Sequence, residues 1–258
     1  MKLFPSKILK NREYIMNRRK RDKSSIYLDS WSLFKIMADF VKGYDDLDDI
    51  GAAVTVFGSG RLKKDNPAYK QATEVSRRLA DSGYSVITGG SFGIMEAANK
   101  GAKESTHAES IGLNIDLPHE TEGNSYLDRE LKFDYFFVRK VMLVRYSLAY
   151  IIMPGGFGTL DELFEVLTLI QTKKTSPGAV ILVGTEYWSK LFEFMETMKE
   201  YGTINEQDMN LISIVDDVEE VISIVDNSLN VQLSAIKEMG LEESNYGTML
   251  KEIQDIRG

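Results

Sequence analysis

The sequence predicts an α/β protein: a Rossmann-like, doubly wound parallel sheet with helices on both faces and helical extensions at its N- and C-terminal ends. Two observations carry this expectation. Short, near-continuous apolar runs alternate with helix-like stretches, the pattern of strands buried on both faces and joined by right-handed crossovers. Three of those runs end directly in glycine-rich turns, which in such sheets link the carboxyl end of a strand to the next helix.

The elements follow in order. Trp31, Phe34, Met37, Phe40, Val41 and Tyr44 recur at helical spacing, with Asp29 or Ser30 as N-cap and the acidic stretch Asp45 to Asp49 as the stop. Ala53 to Phe57 reads as a strand ending in Gly58-Ser59-Gly60. A helix from Pro67 to Ser82 has proline in its first turn and Gly83 beyond its end. Tyr84 to Thr88 is a second strand, running into Gly89-Gly90-Ser91-Phe92-Gly93 and a helix containing Met95, Ala97, Ala98 and Gly101. Ser110 to Ile115 is a third, followed by a polar loop near Pro118. The rhythm repeats with Tyr135 to Phe137 as a strand, a helix from Arg139 to Tyr146, and the strand Ala149 to Met153, ending in Pro154-Gly155-Gly156. Next come a helix from Thr159 to Gln171, the strand Ala179 to Val183, a helix including Trp188 to Met198, the strand Ile212 to Val215, and a helix opened by Asp216 or Asp217. Absence of repeats and linkers favours one domain over residues 30–230, preceded by an arm (1–29) and followed by an acidic helical extension (231–258).

Composition narrows the chemistry. The 258 residues include no Cys and two His, which excludes thiol nucleophiles, disulfides and His/Cys zinc sites, so no metal is expected. His107 and His119 read as bystanders. The net charge of −8 divides into +7 over residues 1–23 and −15 over the remainder. A solvated arm is favoured over a nucleic-acid tail for that basic segment, which lacks the apolar region of a secretory signal. No apolar run is long enough to span a membrane, and the expected location is the cytoplasm.

Ligands of open α/β sheets bind beyond the carboxyl ends of the strands, where glycine turns let backbone N–H groups and helix N-termini face an anion. Gly58, Ser59, Gly89, Gly90, Ser91, Gly93, Gly155, Gly156, Gly158 and Thr159 all fall there. Any single turn is explained by steric need for glycine; three together favour a phosphate-bearing ligand. No turn reads G-x-G-x-x-G, and the second strand ends in Thr88-Gly89 where a dinucleotide site places a carboxylate. A mononucleotide or sugar phosphate fits better. Thr159 and Glu162 are spaced as a capping box, and equally as a carboxylate beside an anion-binding helix end, able to orient water or stabilise a cationic sugar. Arg139 and Lys140 open another helix, where cations oppose the macrodipole; Arg139 reads as a ligand group and Lys140 as ligand group or solvated surface.

The segments GGSFGIMEAANKGA (Gly89 to Ala102), FFVRK (Phe136 to Lys140) and PGGFGTLDE (Pro154 to Glu162) resemble the LOG family, once labelled "possible lysine decarboxylase", over about Trp31 to Val225. The resemblance implies hydrolysis of the N-glycosidic bond of a nucleoside 5′-monophosphate to free base and ribose 5-phosphate, without a cofactor. It implies Arg139 and Glu162 as the catalytic pair, the Gly155 to Thr159 loop as phosphate seat, and at least a dimer with sites near a subunit interface. Ser91 and Glu96 stand where the family's GGGxxGLMG loop has glycine, which brings Glu96 into the expected binding set. The added helix and C-terminal extension resemble a longer bacterial branch, favouring AMP over cytokinin riboside monophosphates. The alternative is a non-catalytic nucleotide or molybdenum-cofactor carrier of the same fold.

Overall fold

A computed structural model describes residues 30–116 and 123–257. The basic arm, Asp29 as a cap, Pro118 and His119 lie outside the described residues. A seven-stranded, wholly parallel sheet runs in the order β4-β3-β2-β1-β5-β6-β7. Its strands are β1 (Ala53–Phe57), β2 (Ser85–Thr88), β3 (Ser110–Ile115), β4 (Arg129–Phe133), β5 (Ser147–Ile152), β6 (Ala179–Val183) and β7 (Ile212–Val215). The chain winds outward from β1 to β4, then returns to the other side of β1 at β5. That reversal places the topological switch point, where ligands of such sheets bind, between β1 and β5.

The helices are α1 (Ser30–Leu47), α2 (Pro67–Asp81), α3 (Ile94–Lys103), α4 (Phe136–Arg145), α5 (Phe157–Gln171), α6 (Thr185–Glu200), α7 (Glu206–Met209), α8 (Val218–Glu238) and α9 (Asn245–Arg257). Alternate residues of the central strands feed two separate cores. Val54, Val56 and Val86 pack with α2, α3, α8 and α9 on one face; Phe57, Ile87 and Leu182 pack with α1, α4, α5 and α6 on the other. α8 is continuous across residues 230 and 231 and is capped by Asp217, whose carboxylate accepts from the Glu220 N–H at 3.0 Å.

Two expectations are corrected. Tyr135 to Phe137 is no strand: the edge strand is Arg129–Phe133, and Phe136 begins α4. An edge strand here buries one face only, so RELKF alternates, hiding Leu131 and Phe133, instead of forming a continuous apolar run. In α1, the residues that set the helical spacing are largely outward. Trp31, Phe34, Met37 and Val41 are each more than half exposed. Of the six, Phe40 turns inward, beside Ile36, Gly43 and Leu47, which the spacing did not single out. Gly43 makes that approach feasible, since a Cβ there would lie 2.9 Å from the Met142 sulfur of α4.

Candidate active site

The three glycine turns meet at the carboxyl edge of the sheet and are stitched to one another. Ser59 N–H donates to Pro154 O at 3.0 Å, Ile94 N–H donates to Ser59 O at 2.9 Å, and Met153 N–H donates to Phe57 O at 2.8 Å. Gly93 serves this closure: its φ is +68°, and a Cβ would sit 2.3 Å from Ser59 O. Gly58 is equally committed to packing, against Ile94.

Gly156 and Gly158 differ. Neither has positive φ, and a Cβ on either would meet no atom within 4 Å. Turn sterics therefore do not account for them. They flank the start of α5, whose N-cap is Gly156 and whose first turn carries no acidic residue. The N–H groups of Gly156, Phe157, Gly158 and Thr159 precede the first helical bond, from Leu160 N–H to Gly156 O, so they have no partner within the helix. Such a cluster of amides attracts an anion. The equivalent end of α3 already holds a carboxylate, Glu96, paired with Lys64 at 2.9 Å.

Because α5 begins at Phe157, Thr159 is its third residue and not its cap, and no side chain caps the helix. The capping-box reading of Thr159 and Glu162 is thereby overturned. Glu162 instead points inward, only 6% exposed, with Oε2 lacking a hydrogen-bond partner. Arg139 reaches the same place from α4. Its Nη2 lies 4.0 Å from Glu162 Oε1, its Nε has no hydrogen-bond partner, and its Nη1 lies 3.7 Å from where a Cβ on Gly89 would stand. What a side chain at Gly89 would crowd is the Met95 sulfur, 2.9 Å from such a Cβ; the guanidinium would be in ordinary contact. Burial pushes the Glu162 carboxyl up to about 7, opposed by the Lys140 and Arg139 charges; burial likewise pulls the Arg139 guanidinium down, opposed by Glu162.

Lys140, expected beside Arg139 as a ligand group, is held by α5 carboxylates, Asp161 at 2.9 Å and Glu165 at 2.6 Å. It ties α4 to α5 and so fixes the helices bearing Arg139 and Glu162. Asp39 of α1 holds the entry to α4, accepting from the N–H groups of Asp134 (2.9 Å) and Tyr135 (3.2 Å) where α4 has no side-chain cap of its own. Ser59 uses its hydroxyl locally, accepting from the Arg61 N–H at 3.1 Å.

Sequence reasoning missed the support beneath the second turn. Asn124 Nδ2 donates to Gly90 O (3.2 Å), Ser91 O (3.0 Å) and Asn99 Oδ1 (2.9 Å). Thr88 Oγ1 donates to Asn99 Oδ1 at 2.6 Å and accepts from the Gly90 N–H at 2.9 Å. Thr88 is fully buried, so the end of β2 offers no carboxylate to a ribose. Tyr187, at the start of α6, was missed as well: its hydroxyl donates to Gly155 O at 2.6 Å. Asn99, an asparagine inside a helix-like stretch, was the available signal for the first group; nothing local marks Asn124, which lies in a loop, or Tyr187.

Comparison with known proteins agrees with this architecture. An uncharacterized protein of Archaeoglobus fulgidus is 34% identical over 150 residues, covering 57% of this chain and 92% of that one. A cytokinin riboside 5′-monophosphate phosphoribohydrolase of Arabidopsis thaliana is 28% identical over 138 residues, covering 53% of this chain and 64% of that one, a little under two thirds of its length. The molybdenum cofactor carrier protein of Chlamydomonas reinhardtii shares the fold, with a TM-score of 0.54 at 21% identity, covering 70% of this chain and 99% of that one. The family model described as "Possible lysine decarboxylase" matches residues 95–225, from the helix after the second glycine turn through both α4 and α5 into α8. With that model covering half of the sequence and both site helices inside it, the chain belongs to the LOG family.

Proposed function

We propose that the protein hydrolyses the N-glycosidic bond of a nucleoside 5′-monophosphate, AMP foremost. Water adds its hydroxyl to C1′, the C1′–N bond breaks, and the base leaves with the proton, giving free base and ribose 5-phosphate. One observation carries the reading: two oppositely charged side chains, Arg139 and Glu162, are buried near the N-terminal end of α5 with polar atoms that no protein group satisfies. A buried polar atom without a partner costs stability, so it marks a group arranged for something other than folding.

The chain's own groups divide the work. The amides of Gly156 to Thr159 seat the phosphate, and Gly89 to Gly93 close on the ribose. Glu162, about one helical turn further along α5 than Thr159, orients water against C1′ and stabilises the positive charge that develops there. Arg139 orients the nucleotide and balances the charge of Glu162. The carrier alternative needs the phosphate seat but gives no role to this pair. We assign the chain to the cytoplasm and to a homodimer or larger homo-oligomer. The latter is supported by an open groove of about 620 Å³ on α5, lined by Phe157, Leu160 and Phe164, and by the outward residues of α1.

Incubation with a panel of nucleoside monophosphates, followed by chromatography for free base, tests the assignment. AMP should release adenine, and Glu162→Gln and Arg139→Ala should each lower the rate about 100-fold or more. A parent protein that releases no base from any member of the panel would refute it.

A further inference from the structure

We infer that Tyr187 is a positioning residue for the phosphate seat, acting through the Gly155–Gly156 peptide; the inference rests on the nucleotide-hydrolysis reading above. The Tyr187 hydroxyl donates to Gly155 O at 2.6 Å, from α6 to the loop after β5, across 32 residues of sequence. The peptide is trans, so the Gly155 carbonyl and the Gly156 N–H point in opposite directions. Anchoring the carbonyl on Tyr187 therefore holds the Gly156 N–H pointing away from Tyr187. That N–H is the first of the unpartnered amides at the start of α5. A Gly-Gly pair has the widest backbone freedom of any dipeptide, so an outside restraint has the most to fix here.

Tyr187 is itself held from behind. Gly184 N–H donates to Val215 O at 3.0 Å, Thr185 N–H donates to the Asp216 carboxylate at 2.7 Å, and the neighbouring Trp188, fully buried, donates from its indole N–H to Val183 O at 3.1 Å. The Tyr187 and Trp188 rings meet edge to face with centroids 4.8 Å apart. The Tyr187 ring is half exposed, which makes the hydroxyl removable without opening the core.

The test is Tyr187→Phe, with Tyr187→Leu as a variant that also removes the ring. For Tyr187→Phe, KM for AMP and the dissociation constant of ribose 5-phosphate should rise about three- to tenfold, the loss of one neutral hydrogen bond. The kcat should stay within about twofold, inhibition by adenosine, which lacks the phosphate, should not change, and the thermal midpoint should hold. Tyr187→Leu should weaken ribose 5-phosphate at least as much. A Phe variant that binds ribose 5-phosphate like the parent overturns the inference, as does one whose kcat falls in step with its affinity or whose adenosine affinity falls equally. A parent that binds neither AMP nor ribose 5-phosphate removes the underlying reading too, and the parent arm alone reveals that case.

Discussion

Arg139 Nη2 and Glu162 Oε1 stand 4.0 Å apart, beyond hydrogen-bond length, in a site where both side chains are largely buried. A structural ion pair closes to contact, because burial penalises each charge and only close hydrogen-bonded approach offsets it. Lys140, one residue along, does close, on Asp161 and Glu165. The looser pair leaves an unpartnered polar atom on each residue, and that spacing has measurable consequences.

Glu162 should destabilise the fold at alkaline pH. Its carboxyl titrates at about 7 in the folded protein against 4.5 ordinarily, so between those values the native state holds a proton that the unfolded chain releases. Stability therefore falls as pH rises from 4.5 to 7, by about 3 kcal/mol in total, and stays lowered above that. Glu162→Gln should melt higher than the parent at pH 8, with the difference fading by pH 5; thermal scans at both values check this.

Activity should show the same group. With Glu162 acting as a carboxylate, kcat/KM should decline below pH about 7. Arg139 is one of the cations that lower the Glu162 value, so the residual activity of Arg139→Ala should have its acid limb displaced to higher pH. A pH–rate profile of parent and variant measures both; an unmoved limb would contradict the coupling.

Gly156→Ala and Gly158→Ala should separate ligand approach from turn geometry. Neither position needs a glycine backbone and neither added methyl meets protein, so folding should be unimpaired, with Gly158→Ala gaining up to about 1 kcal/mol from helix propensity. KM for the nucleotide should nevertheless rise, because the methyl would take space beside the amides that the proposed phosphate seat needs. Urea melts beside steady-state kinetics would show stability kept and affinity lost.

Asn124→Ala should cost about 1–3 kcal/mol and loosen the second glycine turn, since it strips partners from Gly90 O, Ser91 O and the buried Asn99 side chain together. Denaturant titration gives the stability. Faster hydrogen exchange confined to residues 89–93 would locate the loosening.

Most of the sheet was legible because its signal is local. A strand buried on both faces must be apolar at nearly every position, and Ala179–Val183 was readable to the residue for that reason. β4 was not, since an edge strand with one covered face alternates and competes poorly with the aromatic Tyr135 to Phe137 that follows it. In α1 the helix was readable and its buried face was not. Periodicity reports that a helix has an apolar side, whereas Gly43 and its fit against Met142 decide which side meets the core.

By itself, the sequence determined the doubly wound sheet, the three glycine turns at its carboxyl edge, and the presence of Arg139 and Glu162 near them. Each follows from residue type and spacing within a single element or one strand-to-helix junction. Only the tertiary structure decided that Glu162 is a buried carboxylate and not a cap, that Lys140 belongs to α5 carboxylates and Glu96 to Lys64, and that Asn124 and Tyr187 hold the turns from a distance. These depend on where helices start and how they pack. One residue of shift at the start of α5 changes which side chain faces the crevice, and contacts between distant segments leave no periodic trace in the chain.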